Sequence, residues 1–440
     1  MTLIRSVSGI RGLVGEDLNP MRIAKFASIF SDFVSKGKII GGMDTRKSGR
    51  AFSEIFLNTL NYKGLDTVFT GIVPTPTVLF LVKNFKFDGG FIITASHNPP
   101  EYNGIKLVSK HGRFLNQIDY RTFLKFEETP LPFKGDFKSN KYDFDLYKKH
   151  IQAVMKLSFV NKAKIKRRKL KVVFDGGSGA GSIVISELLE NLGVKLHTIN
   201  TNTDGRFNRL LEPIPANLKM LEKEVKRVKA DIGLATDGDG DRIAIVTPER
   251  GCISEEYTLA LSGLYALTKF RSKLIVVNQS TSMMLEMLGE KLGFKVVRTP
   301  VGEANVVDGI VANKAVIGGE GNGGVILPSI NLTRDALVAS ALLVMMLSES
   351  KLSIDEIIST FPKTFMEKRK YDVSSSSVLE RTEEYFKGYE VEKTDGLRIK
   401  FNDGFLHVRK SGTEPIIRII TEFKSKERVQ ETLKLMEGIL

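Results

Sequence analysis

Apolar residues along this chain fall into short runs separated by longer amphipathic stretches. Phe91-Ile-Ile-Thr94 is one such run and ends in a polar loop. Leu170-Lys-Val-Val-Phe174 reads as a buried strand. A glycine-rich turn follows, then an amphipathic helix near 183–192 and a second strand near 194–199. Asp231-Ile-Gly-Leu-Ala235 is another strand ending in an acidic loop, with Ile243-Ala-Ile-Val246 after it and Leu274-Ile-Val-Val277 opening a third unit. Short apolar runs alternating with helical stretches predict mostly parallel strands covered by helices, an α/β fold. From residue 366 the pattern changes to a charged segment, a strand pair near 397–408 and a terminal helix from about Ser425. The predicted domains are therefore 1–150, 151–252, 253–365 and 366–440.

With 440 residues the chain has room for two to four domains of roughly 100–200 residues each. An apolar fraction of 42% and a charged fraction of 26% exclude a disordered chain, a collagen-like repeat and a disulfide scaffold. Cys252 is the only cysteine, so no intrachain disulfide forms and no cysteine cluster holds zinc. The longest apolar stretch, around 336–347, is shorter than the roughly 20 residues of a membrane helix. The N-terminus lacks an apolar signal core, so a soluble, cytoplasmic protein is expected. Lys and Arg number 65 against 51 Asp and Glu, a net charge of +14 that favours anionic partners. Nucleic acid is a poor fit, because tryptophan is absent and no basic tract is interleaved with stacking aromatics. The dense basic run 162–171 reads as a linker.

Four loops could carry chemistry. In Asp237-Gly-Asp-Gly-Asp-Arg242, carboxylates at i, i+2 and i+4 point to one side of extended chain. Their mutual repulsion calls for a cation, and oxygen-only ligands suit Mg²⁺. A calcium-binding EF-hand loop would need Gly and Glu where Arg242 and Pro248 stand, and an acidic turn between two strands is the plainer alternative. In Thr94-Ala-Ser-His-Asn-Pro-Pro100, Ser96 is a candidate nucleophile and His97 a candidate base. No Gly-x-Ser-x-Gly elbow surrounds Ser96, which argues against an esterase. In Gly318-Gly-Glu-Gly-Asn-Gly-Gly324, Glu320 and Asn322 stand on bare backbone, as suits a loop over a polyhydroxylated ligand. In Arg409-Lys-Ser-Gly-Thr-Glu-Pro415, with Arg418 beyond, an arginine, two hydroxyls and the backbone N–H groups around Gly412 make phosphate donors. Gly176-Gly-Ser-Gly-Ala-Gly181 lacks the lysine of a nucleotide-binding P-loop and reads as a strand-to-helix turn.

Together these loops resemble the α-D-phosphohexomutase superfamily, in the family's order and over nearly the whole chain. Ser8-Gly-Ile-Arg-Gly12 resembles its N-terminal signature, Thr94–Pro99 its phosphoserine loop and Asp237–Arg242 its metal loop. Gly318–Gly324 resembles its sugar loop and Arg409–Pro415 its phosphate loop. The resemblance implies three related α/β domains with mixed sheets covered by helices, plus a smaller α+β C-terminal domain, around a central cleft. It implies that Ser96 carries the phosphoryl group and that Asp237, Asp239 and Asp241 bind Mg²⁺ with the serine phosphate as a further ligand. Arg11 and Lys106 would lie by the transferring phosphate, Lys106 as a general acid/base candidate, with His97 and Arg242 completing the catalytic set. Glu320 would contact sugar hydroxyls, and Arg409, Ser411, Gly412, Thr413 and Arg418 the distal phosphate. Two departures bear on specificity. Asn322-Gly-Gly324 replaces the usual Ser-Gly-His, and Arg298-Thr-Pro-Val-Gly302 followed by Glu303 replaces a Lys-Thr-Gly-His stretch. Both look most like phosphoglucosamine mutases of the archaeal-type group and their bacterial relatives.

The expected reaction interconverts hexose 6-phosphate and hexose 1-phosphate, with Mg²⁺ as cofactor and a sugar 1,6-bisphosphate as activator and intermediate. Glucosamine 6-phosphate is the first substrate reading; the alternative is a phosphomannomutase/phosphoglucomutase. The expected partner is a small sugar phosphate rather than nucleic acid or membrane, and the expected state a monomer or homodimer. A Mg²⁺-dependent phosphatase and a non-enzymatic sugar-phosphate binder share parts of this pattern. The first would release phosphate without isomerised product, and the second would lack Ser96 or one of the aspartates.

Overall fold

The computed structural model describes residues 3–6, 9–126, 137–372, 377–411 and 416–440. The chain forms two compact units, residues 1–265 with 323–356 and residues 266–322 with 357–440.

The first unit holds two sheets. In the larger, the order is Ile4–Ser6, Gly9–Leu13, Tyr102–Ser109, Gly89–Ile93, Lys38–Met43, Asp66–Ile72 and Asn140–Tyr142. Its centre is parallel, but Tyr102–Ser109 runs antiparallel to Gly89–Ile93. That register sets Lys106 opposite Ile92, at the end of the strand that feeds the Ser96 loop. Phe26, Phe30, Phe56 and Phe91 fill the core beneath, with the last two rings 4.3 Å apart. The second sheet runs Lys195–Ile199, Lys171–Asp175, Ile232–Thr236, Ile243–Thr247, Gly251–Cys252. Its first three strands are parallel and the rest antiparallel, so the acidic loop is a tight return between Ile232–Thr236 and Ile243–Thr247. The sheets are mixed, as the resemblance implies, rather than mostly parallel as the strand–helix alternation alone suggests, because tight loops return the chain antiparallel at Tyr102–Ser109 and Ile243–Thr247.

The apolar stretch near 336 is the helix Ala336–Glu349, capped by Asp335 and buried on nearly every side. A helix apolar all round belongs in an interior. No described helix is long and apolar enough to cross a membrane. The basic run is not a linker: Lys162–Arg168 is a helix whose Asn161 side chain caps it and whose Ile165 is buried. Lys166, Arg167 and Arg168 occupy its last turn, where cations favour the helix dipole.

In the second unit, Leu274–Asn278 pairs in parallel with Lys295–Thr299 and Gly318–Glu320. The C-terminal part is an antiparallel sheet in the order Phe365–Tyr371, Ile417–Phe423, Gly404–Lys410, Leu397–Phe401, Glu390–Glu392. Alternation along these strands sends Leu397, Ile399, Leu406, Val408, Ile417 and Ile419 into a core shared with helices Ser377–Tyr385 and Lys426–Ile439.

Candidate active site

Ser96 follows the buried strand Gly89–Ile93 and sits at φ 54°, a left-handed conformation that costs a non-glycine residue about 1–2 kcal/mol. The surroundings hold it there. Thr94 Oγ1 accepts from the Ser96 N–H at 2.9 Å, and Arg46 Nη2 donates to the Ser96 carbonyl at 2.9 Å. Arg46, only 2% exposed, also donates to the carbonyls of Asn98, Pro99 and Tyr102 and to Asp44. One guanidinium therefore shapes the whole loop. Ser96 is not turned outward as a surface serine would be; it is 5% exposed. His97 is exposed at its outer edge and lines a cavity of about 580 Å³ with Asn98, Lys47, Arg206 and Phe207. Partial burial, then the Arg242 and Arg11 charges, lower its imidazole to about 3, so the ring is neutral.

The acidic loop meets this serine directly. A Cβ on Gly238 would lie 2.4 Å from the Ser96 carbonyl, so only glycine permits the approach. Asp237, Asp239 and Asp241 are all buried, and one oxygen of each lies within 4.8 Å of the others. The loop is therefore not solvent-facing. Asp237 serves the loop itself: Oδ1 accepts from the N–H groups of Gly240 and Asp241, and Oδ2 from Arg242 Nε at 3.0 Å. Burial, then the Asp241 charge, push its carboxyl above the usual range, with Arg242 opposing. Asp239 Oδ2 takes Lys106 Nζ at 2.5 Å and Thr75 Oγ1 at 2.7 Å. Burial alone would raise this carboxyl, but the Lys106 charge and hydrogen bonds from Lys106, Thr75 and Ser96 hold it below the usual range. Asp241 Oδ2 takes Arg334 Nη2 at 2.6 Å. That leaves Asp239 Oδ1 and Asp241 Oδ1 buried without a hydrogen-bond partner. Buried carboxylate oxygens are costly to leave unpaired, and hard oxygens converging on one point fit a divalent cation. Arg11 lies in the same field, its burial opposed by Asp239 and Asp241, and donates to Asn98 at 3.3 Å.

The remaining predicted residues belong to the second unit. Glu320 is 5% exposed; Oε1 accepts from Asn278 at 2.9 Å and Oε2 from Asn322 at 3.4 Å. The Gly321 N–H donates to Thr281 Oγ1, and the Gly321 carbonyl accepts from Lys368 at 3.1 Å. Arg298 holds the supporting turn through the carbonyls of Asn278, Gln279 and Thr281. On the C-terminal sheet Arg409 lies opposite Arg418, which lies opposite Lys370. Like charges abreast repel; Asp395 offsets Arg409 in part, and an anion over the row would add to that. Ser411 follows strand Gly404–Lys410, its N–H donating to the Ile416 carbonyl at 2.9 Å, while Gly412 and Thr413 lie outside the described residues.

The structure thus gathers Ser96, His97, Arg11, Lys106, Arg242 and the three aspartates in one unit. It sets Glu320 with Asn322, and Arg409 with Arg418, in the other. The sequence reading missed Arg46, Thr75 and Arg334. Arg46 lies 50 residues from Ser96, Thr75 164 from Asp239 and Arg334 93 from Asp241, so no spacing announces them.

Known proteins place this architecture. The chain matches Phosphoglucomutase/phosphomannomutase alpha/beta/alpha domain I over residues 3–121, domain II over 145–251, domain III over 254–365 and the C-terminal domain over 366–437. It is 37% identical to a phosphoglucomutase/phosphomannomutase of Thermococcus kodakarensis, over 97% of this chain and 96% of that one. It is 35% identical to a probable phosphoglucosamine mutase of Pyrococcus abyssi, over 98% and 96%. The crystal structure of a putative phosphomannomutase from Thermus thermophilus superposes with a TM-score of 0.85 at 25% identity, covering 99% of both chains. A buried serine held against three aspartates, on a four-domain α/β scaffold shared with these enzymes over nearly its whole length, makes this chain a member of the phosphoglucomutase/phosphomannomutase family, and so an intramolecular phosphotransferase.

Proposed function

We propose that the chain interconverts hexose 6-phosphate and hexose 1-phosphate through a phosphorylated Ser96 and a sugar 1,6-bisphosphate, with glucosamine 6-phosphate as the preferred substrate. The observation that carries this reading is Ser96 itself, held at φ 54° and pressed against the acidic loop whose Asp239 pairs with Lys106. In the first half-reaction the bond from phosphorus to Ser96 Oγ breaks as one forms to the free sugar hydroxyl. The net proton passes from that hydroxyl to Ser96. The bisphosphate then presents its other phosphate, and the reverse transfer restores the phosphoserine. Lys106, bound to Asp239, is the general acid/base candidate beside the moving phosphoryl group, and His97 lines the cavity next to the serine. Asp239 and Asp241, with their unpaired oxygens, and Asp237 would hold Mg²⁺. Bound there, the ion would neutralise charge on the phosphoryl oxygens.

Arg409 and Arg418 suit the non-reacting phosphate, because their cation row binds either end of the sugar without reading the ring. Glu320 and Asn322 suit the equatorial C3 and C4 hydroxyls that glucose, mannose and glucosamine share. Discrimination then falls to C2, and Glu303, half-buried at the start of helix Glu303–Ala312, is the acceptor proposed for its ammonium. A site group left unpaired by the wrong sugar costs about 1–3 kcal/mol. The second reading, a phosphomannomutase/phosphoglucomutase, draws on the Thermococcus kodakarensis relative. A ³¹P NMR assay with the 6-phosphates of glucosamine, glucose and mannose, plus a trace of bisphosphate, tests both. The highest kcat/KM is expected on glucosamine 6-phosphate; a tenfold preference for mannose 6-phosphate would favour the second reading.

A further inference from the structure

Asp395 is not part of any motif that the chemistry above uses. It precedes strand Leu397–Phe401, and the next residue, Gly396, has φ 73°. A Cβ on Gly396 would lie 2.3 Å from the Val408 carbonyl and 2.8 Å from the Arg409 Cβ, so glycine lets this turn press against strand Gly404–Lys410. The Asp395 carbonyl lies 2.7 Å from His407 Nε2, and His407 Nδ1 lies 3.3 Å from Ser280 Oγ. His407 is fully buried and its imidazole is lowered to about 4 by burial, so it is neutral. Nε2–H then donates to Asp395 and Nδ1 accepts from Ser280, which fixes the tautomer and the turn.

The side chain of Asp395 faces two ways. Arg409 Nε donates to Oδ1 at 3.1 Å and to Oδ2 at 3.0 Å. The N–H of Val301 donates to Oδ2 at 2.8 Å. Val301 precedes Gly302 and Glu303, the start of helix Glu303–Ala312. Arg409 and Asp395 are 14% and 17% exposed, so water screens this pair weakly. Only the Nε edge of the guanidinium is engaged by Asp395, and the Nη groups point along the rest of the planar fork.

We propose that Asp395 is a positioning residue: it aims Arg409 at the non-reacting phosphate and ties that arginine to the Val301 backbone, so that phosphate recognition and the 301–303 segment keep one register. This rests on the reading of Arg409 as a phosphate ligand. Asp395→Asn keeps the volume and one neutral acceptor but removes the charge that faces Arg409. Asp395→Ser removes the carboxylate altogether.

The test uses full-length protein in a Ser96→Ala background, where no chemistry occurs, and titrates glucosamine 6-phosphate by calorimetry. The Arg409 Nε–H is followed by NMR in the same samples, with melting curves to confirm folding. Asp395→Asn is expected to weaken binding about tenfold and to speed exchange of the Arg409 Nε–H; Asp395→Ser should do both more strongly. With Ser96 restored, KM should rise by a similar factor while kcat changes less than threefold, and the rate at which phosphoserine is lost to water should not change. Unchanged affinity in both variants, or an unchanged Arg409 Nε–H, would overturn the proposal. Failure of the parent protein to bind any hexose phosphate would instead overturn the proposed function, and the Nε–H signal would still decide whether Asp395 orients Arg409.

Discussion

Arg334 and Asp335 are neighbours in the chain and serve two buried clusters of opposite character. Asp335 has partners on both oxygens. Oδ1 accepts from the N–H groups of Leu337 and Val338, while Oδ2 accepts from Asn331 and lies 3.0 Å from His150 Nε2. His150 Nδ1 lies 3.1 Å from Thr77 Oγ1, and the ring stacks on Phe80. A threonine, a histidine and an aspartate in line resemble a nucleophile with its base, yet all three are 0% exposed, so no substrate reaches them. Arg334 goes the other way, to Asp241, whose second oxygen has no hydrogen-bond partner. Both aspartates are equally buried. The difference lies in hydrogen-bond accounting: the satisfied acid is scaffold, and the acid left short is shaped for a ligand.

The comparison can be broken at its reactive end first. Ser96→Ala is expected to lower turnover by about 10³-fold or more, since a covalent carrier has no substitute. Intact mass should lose a phosphate adduct with it, and full activity in this variant would sink the phosphoserine route. Matched substitutions of the two acids come next. Asp335→Asn removes a fully used carboxylate and should cost about 3–5 kcal/mol in denaturant melts. Asp239→Asn breaks the pair with Lys106 but also relieves repulsion from Asp237 and Asp241. Its melting point should move less, while turnover and calorimetric Mg²⁺ affinity fall by about 100-fold. The reverse pattern would erase the distinction drawn here.

His407, a satisfied buried group in the other unit, sharpens it further. Its pKa near 4 lies below the unfolded value near 6.5, so the unfolded chain binds the proton more readily. Stability should therefore be intact above pH 6.5 and decline by about 3 kcal/mol as pH falls to 4. Calorimetric scans of His407→Gln should lack that decline, and an identical acid limb would refute the assignment. The smallest effect is expected from Arg334→Lys, which keeps the charge beside Asp241 but not the planar fork. A loss of about tenfold in turnover is expected, with the melting point unchanged.

The groups that the structure brings together were legible because they stand in short loops. Three aspartates alternating with glycines point to a cation, while the serine loop alone could equally be a polar turn, and only its place among the other loops marks it. The same concentration let strand ends near Phe174, Ile199 and Val246 be read within a residue or so. The basic run at 162–168 misled because its one buried residue, Ile165, gives no visible periodicity in seven positions. Arg46 was invisible for a related reason: its partners are backbone carbonyls more than fifty residues away, and a carbonyl carries no side-chain signature.

The sequence alone determined which candidate groups are brought together: Ser96 with His97, the three aspartates, Glu320 with Asn322, and Arg409 with Ser411 are each written in one stretch of chain. Only the tertiary structure decided how they are used. It showed that both oxygens of Asp237 take donors of their own loop while Asp239 and Asp241 keep open oxygens, that Arg334 joins Arg242 in facing Asp241, and that Asp395 pairs with Arg409. These are questions of which lone pair meets which donor across long loops, and pairings over such separations follow from packing, not from spacing along the chain.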